Sequence, residues 1–244
     1  MNHRTEKIRM AVSLMAFAAM CGCVEGMRTG ETRTDSQHID LDGAKSVSVN
    51  LNMASGDMKL RGGAGELMDG SFTYNVPAWE PRIDYHVSGD HGQLTIEEPG
   101  KTHNAMGVSR YSWDLQLNNT VPMDITVNMG AGQSNLSLAE LNLTRLAVEV
   151  GAGNSDVDLT GSWNHDVEVD LEGGVGNATV RLPRSMGVRA TVSGGLGSVE
   201  AGDFRKDGDA YLNDEYGKSS ATISVRVQGG IGNVKLELGG GPTV

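Results

Sequence analysis

The chain has 244 residues, 34 of them glycine, and aromatics make up only 5%. A formal net charge of −11 excludes the basic face that binding to nucleic-acid phosphates requires, and leaves solvation, or a surface for cations and basic partners, as the use of the acidic surplus. So few rings exclude a wide core filled by aromatic side chains and favour thin sheets with many tight turns.

The first element in chain order is an export signal. Arg4, Lys7 and Arg9 precede the apolar run "MAVSLMAFAAM" over residues 10–20, and "CGC" follows. A basic segment, a short apolar segment and small residues form a secretory signal. The run is too short to span a bilayer, which takes about 20 residues, and no second one follows. The stretch "MCGCVE" resembles the lipidation signal of bacterial lipoproteins, in which a small residue precedes a lipidated cysteine. Cys23, behind Gly22, fits it best. Cys21 is the alternative, behind the larger Met20; three positions before Cys23, the same Met20 stands where the usual signal has Leu. The resemblance implies a signal peptide over 1–22, an N-terminal lipid on Cys23 holding the chain to a membrane, and a mature chain without a disulfide. Val24 in place of Asp implies outer-membrane sorting in a host that has an outer membrane. Several acyl chains hold a protein to a membrane stably where one does not.

Residues 23–43 are polar, without aromatics and without period, and read as a flexible tether. From residue 44 onward apolar and polar residues alternate with period 2, as in "KSVSVNLNM", "QLTIE", "WDLQLN", "DITVNM", "VEVDL", "ATVRL", "ATISVRVQ" and "NVKLEL". This is the pattern of half-buried strands, so the chain is expected to be all-β. Only "LAELNLTRL" (138–146) is ambiguous.

Glycine corners repeat through these strands: "MGAGQ" with its first corner glycine at Gly130, "VGAGN" at Gly151, "GGVGN" at Gly174, "GGLGS" at Gly195 and "GGIGN" at Gly230. The steps are 21, 23, 21 and 35 residues, the last holding an insertion. Two upstream stretches align with these, placing Ala54 and Asp90 at corners. The period predicts a single-chain parallel β-solenoid of about seven coils of roughly 21 residues; a row of hairpins with glycine tips is the competing arrangement. The residue between the glycines decides for the solenoid. It is Ala131, Ala152, Val175, Leu196 or Ile231, where a hairpin tip favours Asn, Asp or Gly. These side chains are expected to stack inward. The end coils need caps, for which residues 69–81 and the acidic insertion near the C-terminus are the candidates.

The stretches "GELMDGSFTYNVPAWEPRIDYHVSGDHGQLTIEEP", "WDLQLNNTVPMDITVNMGAG" and "DGDAYLNDEYGKS" resemble the toast-rack family of bacterial envelope proteins, which is distantly similar to adhesin repeat domains and to LiaF-type C-terminal domains. The resemblance implies a toast-rack domain over 44–112 and β-solenoid repeats over 113–244. It carries no catalytic residues, since the family is largely of unknown function.

The residues offer little chemistry. "YGKSS" ends like a phosphate loop, but Leu212 stands where the motif needs glycine, and a strand rather than a helix follows; no nucleotide is expected. His86, Asp90 and His91 lie close in sequence but need not converge. The insertion gathers Asp207, Asp209, Tyr211, Asn213, Asp214 and Tyr216, without the spacing of a calcium loop; these are the candidate ligand or partner surface. Trp79, Trp113, Trp163, Tyr211 and Tyr216 are either caps or stacking anchors for sugars or a protein. No catalytic residue, metal or cofactor is expected. The chain reads as a non-catalytic envelope lipoprotein, a scaffold, adhesion or interaction module, with a role in envelope-stress sensing possible by family analogy. Its partner would be an envelope protein or a glycan. The alternative is a ligand-binding lipoprotein recognising glycan or cation through 207–219.

Overall fold

The computed structural model describes residues 27–99, 105–106 and 109–239. In chain order the strands are β1 (Met27–Arg28), β2 (Arg33–Ile39), β3 (Ser46–Ala64), β4 (Met68–Tyr74), β5 (Arg82–Ser88), β6 (His91–Glu97), β7 (Ala105–Met106), β8 (Tyr111–Asn118), β9 (Met123–Ser137), β10 (Leu143–Asp158), β11 (Val167–Pro183), β12 (Gly187–Leu196), β13 (Val199–Glu200), β14 (Arg205–Asp207), β15 (Ala210–Leu212), β16 (Thr222–Ile231) and β17 (Val234–Gly239). One 3-10 turn, Pro77–Trp79, joins β4 to β5. Apart from the short β1–β7 pair, all belong to one 15-stranded sheet. The fold is all-β, an open and mostly parallel sheet.

Each long strand runs through a corner. In β10, Leu146, Val148 and Val150 are buried on one side of the bend and Val157 on the other. The strand alternates on both arms, but the spacing from Val150 to Val157 is odd, so the corner resets which parity faces the core. Leu136, Val157, Val180 and Leu236 on the second arm join Ile125, Val148, Val169 and Val225 on the first in one core cluster. Full burial of each such side chain stabilises the fold by about 1.5–3 kcal/mol. Return turns carry the chain back to the next layer, as in Leu138–Leu141, where the Leu141 amide donates to the Leu138 carbonyl at 3.1 Å.

Parallel ladders join β3 to β9, β9 to β10 and β10 to β11, in residue-for-residue register but for one bulge between Leu143 and Arg145. The stack then departs from chain order. β11 pairs with β16 and β17, and β12 pairs on the far side of β16. The sequential order of the repeats, corner 174 to corner 195 to corner 230, is therefore corrected: the last repeat slides between the two before it. At the other end β6 and β8 both lie against β3, beneath it in the stack.

Two further sequence expectations are corrected. Within the stretch read as tether, residues 33–39 form β2, which pairs antiparallel with β4 from Arg33↔Tyr74 to Ile39↔Met68. Its side chains are mostly exposed, so no apolar period announces it; backbone pairing holds it, helped by side-chain hydrogen bonds to β4 such as His38 to Asp69. Asp90 is not a stacked corner. It shares a two-residue hairpin turn with Gly89 between β5 and β6, closed by the Ser88↔His91 pair, and Gly89 supplies the positive φ of 63° that such turns demand. The ladders of β3 with β8 and with β9 carry the sheet without a break across position 112.

Candidate functional site

The glycine corners form a column along the stack, with Ser55 beside Ala131, Ala131 beside Ala152, Ala152 beside Val175, Val175 beside Ile231 and Leu196 beside Ile231. The second glycine of each corner is fixed by its neighbour. A Cβ on Gly153 would overlap the carbonyl oxygen of Gly132, and one on Gly176 would overlap that of Gly153. Gly176 also sits at φ 145°, which L side chains rarely adopt. Close backbone approach from layer to layer, not a ligand, sets the G-x-G pattern.

At four of the corners, those of Ala131, Ala152, Val175 and Ile231, the apolar residue between the glycines is not core. Val175 is 55% and Ile231 57% exposed, and Ala131 and Ala152 are exposed too. The inward stacking expected of them is corrected: they stack on one another in register but face solvent, because the bend turns this residue out of the space between the arms. Beside them runs an amide ladder. Asn154 Nδ2 donates to Gln133 Oε1 (3.4 Å), Asn177 Nδ2 to Asn154 Oδ1 (3.0 Å), Asn233 Nδ2 to Asn177 Oδ1 (3.1 Å) and Ser198 Oγ to Asn233 Oδ1 (2.8 Å). Each donor is the residue just after its G-x-G, so the fifth letter of the repeat carries meaning that the sequence reading left unused.

The outer face of the first arm carries a charge ladder. Asp170 accepts from Arg226 Nε at 2.6 Å and from Arg145 at 3.3 Å. The hydrogen bond from Arg226 holds its carboxyl below the usual aspartate range, against the opposing effect of partial burial.

The insertion of residues 207–219 splits into frame and surface. β15 pairs antiparallel with β12, and β14 with β15, so the hairpin closes the end of the first arm, as one of the two expected caps. Asn213 is buried: its Oδ1 accepts from the Val188 amide at 2.8 Å and its Nδ2 donates to the Met186 carbonyl at 2.7 Å. It fixes the entry of β12. Tyr211 is half-buried, with Lys206 Nζ 5.5 Å from its ring centroid. Asp207, Asp209, Asp214 and Tyr216 are exposed. In the phosphate-loop-like stretch, Ser219 Oγ accepts from the Gly187 amide at 2.6 Å and donates to the Ala221 carbonyl at 2.8 Å, and strand β16 follows.

The other candidates do not converge. His91 reaches Ser46 Oγ (2.9 Å) and Ser48 Oγ (3.1 Å), while Asp90 pairs with Lys45 at 2.8 Å. Among the described residues, no group of three or more His, Cys, Asp or Glu side chains is placed to hold a metal ion. The tryptophans are not surface anchors: Trp79, Trp113 and Trp163 are buried. Trp79 and Trp113 flank Tyr111 in tilted and edge-on contacts at centroid distances of 5.5 and 5.9 Å, and Trp163 Nε1 donates to the Leu141 carbonyl at 2.8 Å. Cys23 lies outside the described residues, and among those residues no helix is long and apolar enough to cross a membrane.

An open parallel solenoid with stacked glycine corners and antiparallel end strands defines the class of protein. The family described as the N-terminal domain of toast_rack, DUF2154, matches residues 28–181, and the chain belongs to it. A solved structure titled a "putative cell adhesion protein" from Clostridium sporogenes is 33% identical, covers 86% of this chain and 100% of its own, and superposes with a TM-score of 0.82. Two others titled "putative adhesin" are more remote. The one from Bacteroides fragilis is 13% identical with a TM-score of 0.34, covering 86% of this chain and 100% of its own. The one from Parabacteroides distasonis is 12% identical with a TM-score of 0.30, covering 86% and 99%. No curated protein matches the chain.

Proposed function

We propose that the protein is an exported, non-catalytic envelope lipoprotein, anchored through Cys23, whose solenoid is a scaffold for adhesion or partner binding. The observation that carries this reading is the 33% identity over 86% of the chain to the Clostridium sporogenes protein with adhesion in its title. The chemistry agrees with it. The corner amides hydrogen-bond to one another, and Asn213 and Ser219 of the insertion to backbone, rather than converging on a reacting centre. Counting β6 and β8 as one coil with an opened corner, the stack has about seven coils, a rigid rod that holds its end loops off a membrane. Envelope-stress sensing is a role this frame would also serve.

The test is adhesion of cells that display the protein. Wild-type cells should take up labelled palmitate into this chain and adhere to an envelope or glycan surface, and Cys23→Ala should lose both. Equal adhesion by a strain lacking the protein would sink the reading. The second reading, a glycan or cation site on the insertion, rests on the four exposed residues Asp207, Asp209, Asp214 and Tyr216. Substituting these to Ala leaves Asn213 and the cap in place; unchanged glycan or calcium binding in that variant would remove the insertion from consideration.

A further inference from the structure

The column of corners encloses a trough in the C-terminal half of the stack. It crosses β10, β11, β16 and β12, and it holds a cavity of about 180 Å³. Val150, Leu171, Val192 and Val227 line it, and Val175 and Ile231 stand at its mouth. Ten glycines form much of the remaining wall, with Ser, Asn and Gln side chains such as Asn177, Gln228 and Asn233 between them. Four strands about 4.8 Å apart make it roughly 14 Å long. The corner residue grows along the stack from Ala131 and Ala152 to Val175 and Ile231, so the apolar surface is concentrated here. Asn or Gly would turn the same corner without exposing apolar atoms to water, and such exposure marks a contact site.

We propose that this trough binds an unbranched aliphatic chain carrying a neutral or cationic head. This goes beyond the adhesion reading and does not depend on it. Three observations select the occupant. The trough runs about 14 Å across four strands, which suits an extended chain over a compact ring system. Glu172 is the charged residue on the lining, and it is exposed, so a carboxylate head would meet like charge. A second copy of the chain is disfavoured by area. A stable protein interface takes about 20–30 residues a side, whereas among the described side chains the large hydrophobic ones exposed here are Val175, Ile231 and the neighbouring Val199.

The test is isothermal titration of the full chain carrying Cys23→Ala, so that no lipid of its own competes. Dodecyltrimethylammonium, below its micelle concentration, should bind one-to-one, and dodecanoate at least tenfold more weakly. The double variant Val175→Asn/Ile231→Asn changes exposed positions, so its melting temperature should hold while binding of the cation falls at least tenfold. Glu172→Gln should bring dodecanoate up to the level of the cation. The proposal is overturned if the cation gives no saturable heat or if the double variant binds it as wild type does. Concentration-dependent dimerisation that the double variant abolishes would equally overturn it, in favour of a second copy. Equal wild-type binding of both heads would overturn the assignment to Glu172.

Discussion

Asn233 Nδ2 donates to Asn177 Oδ1 at 3.1 Å across a gap of 56 residues, while the Asn233 Oδ1 accepts from Ser198 at 2.8 Å. Asn233 thus lies between a residue of β11 and a residue preceding β13, and it locks the last repeat into the gap between two earlier ones. Asn177 also donates to Asn154, so removing it breaks the ladder on both sides. Each hydrogen bond of this kind contributes on the order of 1 kcal/mol. Asn177→Ala is expected to lower the melting temperature by roughly 2–8 °C, at about 2–4 °C per kcal/mol for a chain of this size. Calorimetry of the variant checks this, and an unchanged melting temperature would mean that the ladder is decorative.

Asp170 makes stability depend on acid. Its carboxyl is held down chiefly by the hydrogen bond from Arg226, while an unfolded aspartate titrates near 3.9. A depressed native value means that the contribution is fully present above the unfolded value and is lost as pH falls through the native one. Asp170→Asn should therefore cost stability at pH 6 and little at the acid end. Chemical unfolding of both proteins from pH 6 down to pH 2 measures it, and parallel curves would contradict the ion-pair account.

His38 gives the opposite sign at the other end of the molecule. The hydrogen bond that His38 Nδ1 donates to Asp69 Oδ1, at 2.7 Å, raises its pKa above the usual imidazole value. A raised native pKa stabilises below the unfolded value of about 6.5 and ceases to as pH rises through the native one. Because His38 joins β2 to β4, amide exchange across 33–39, corrected for intrinsic rates, should speed up from pH 5.5 to pH 8. His38→Ala should flatten that dependence; an equally steep rise in the variant would assign the effect elsewhere.

The second arm ends on an edge that side chains close. β13 pairs with β17 only at Val199 and Glu200; farther along, Asp203 accepts from the Leu238 amide at 3.4 Å and Arg184 donates to the Leu238 carbonyl at 2.9 Å. An open strand edge is a template for another chain. The double substitution Asp203→Ala/Arg184→Ala is expected to increase self-association in sedimentation velocity, and a strictly monomeric double variant would show that this edge needs no cover.

Much of this fold was legible because buried strands alternate and the corners repeat. What was not legible has physical causes. β2 is held by backbone pairing and buries little, so "RTDSQHI" shows no period. The swap of β16 and β12 is invisible because every repeat presents the same corner, and any coil stacks on any other. The direction of Val175 and Ile231 depends on a parity break inside the bend, which alternation on the arms does not reveal. In the insertion, Asn213 and Asp214 look alike as polar letters, but one is buried with its hydrogen bonds made to backbone and the other is exposed. The sequence left the three tryptophans as caps or stacking anchors, and a chain so poor in aromatics uses all three inside.

The most direct measurement compares two glycines of the same corner. Gly173 has open space where a Cβ would go, whereas Gly176 meets the Gly153 backbone and has positive φ. If the glycine stretches are stacked corners, Gly173→Ala should melt within roughly 2 °C of wild type. Gly176→Ala should lose upwards of about 4 kcal/mol, a drop of roughly 10 °C or more. Similar melting temperatures for the two variants would contradict the stacked-corner account.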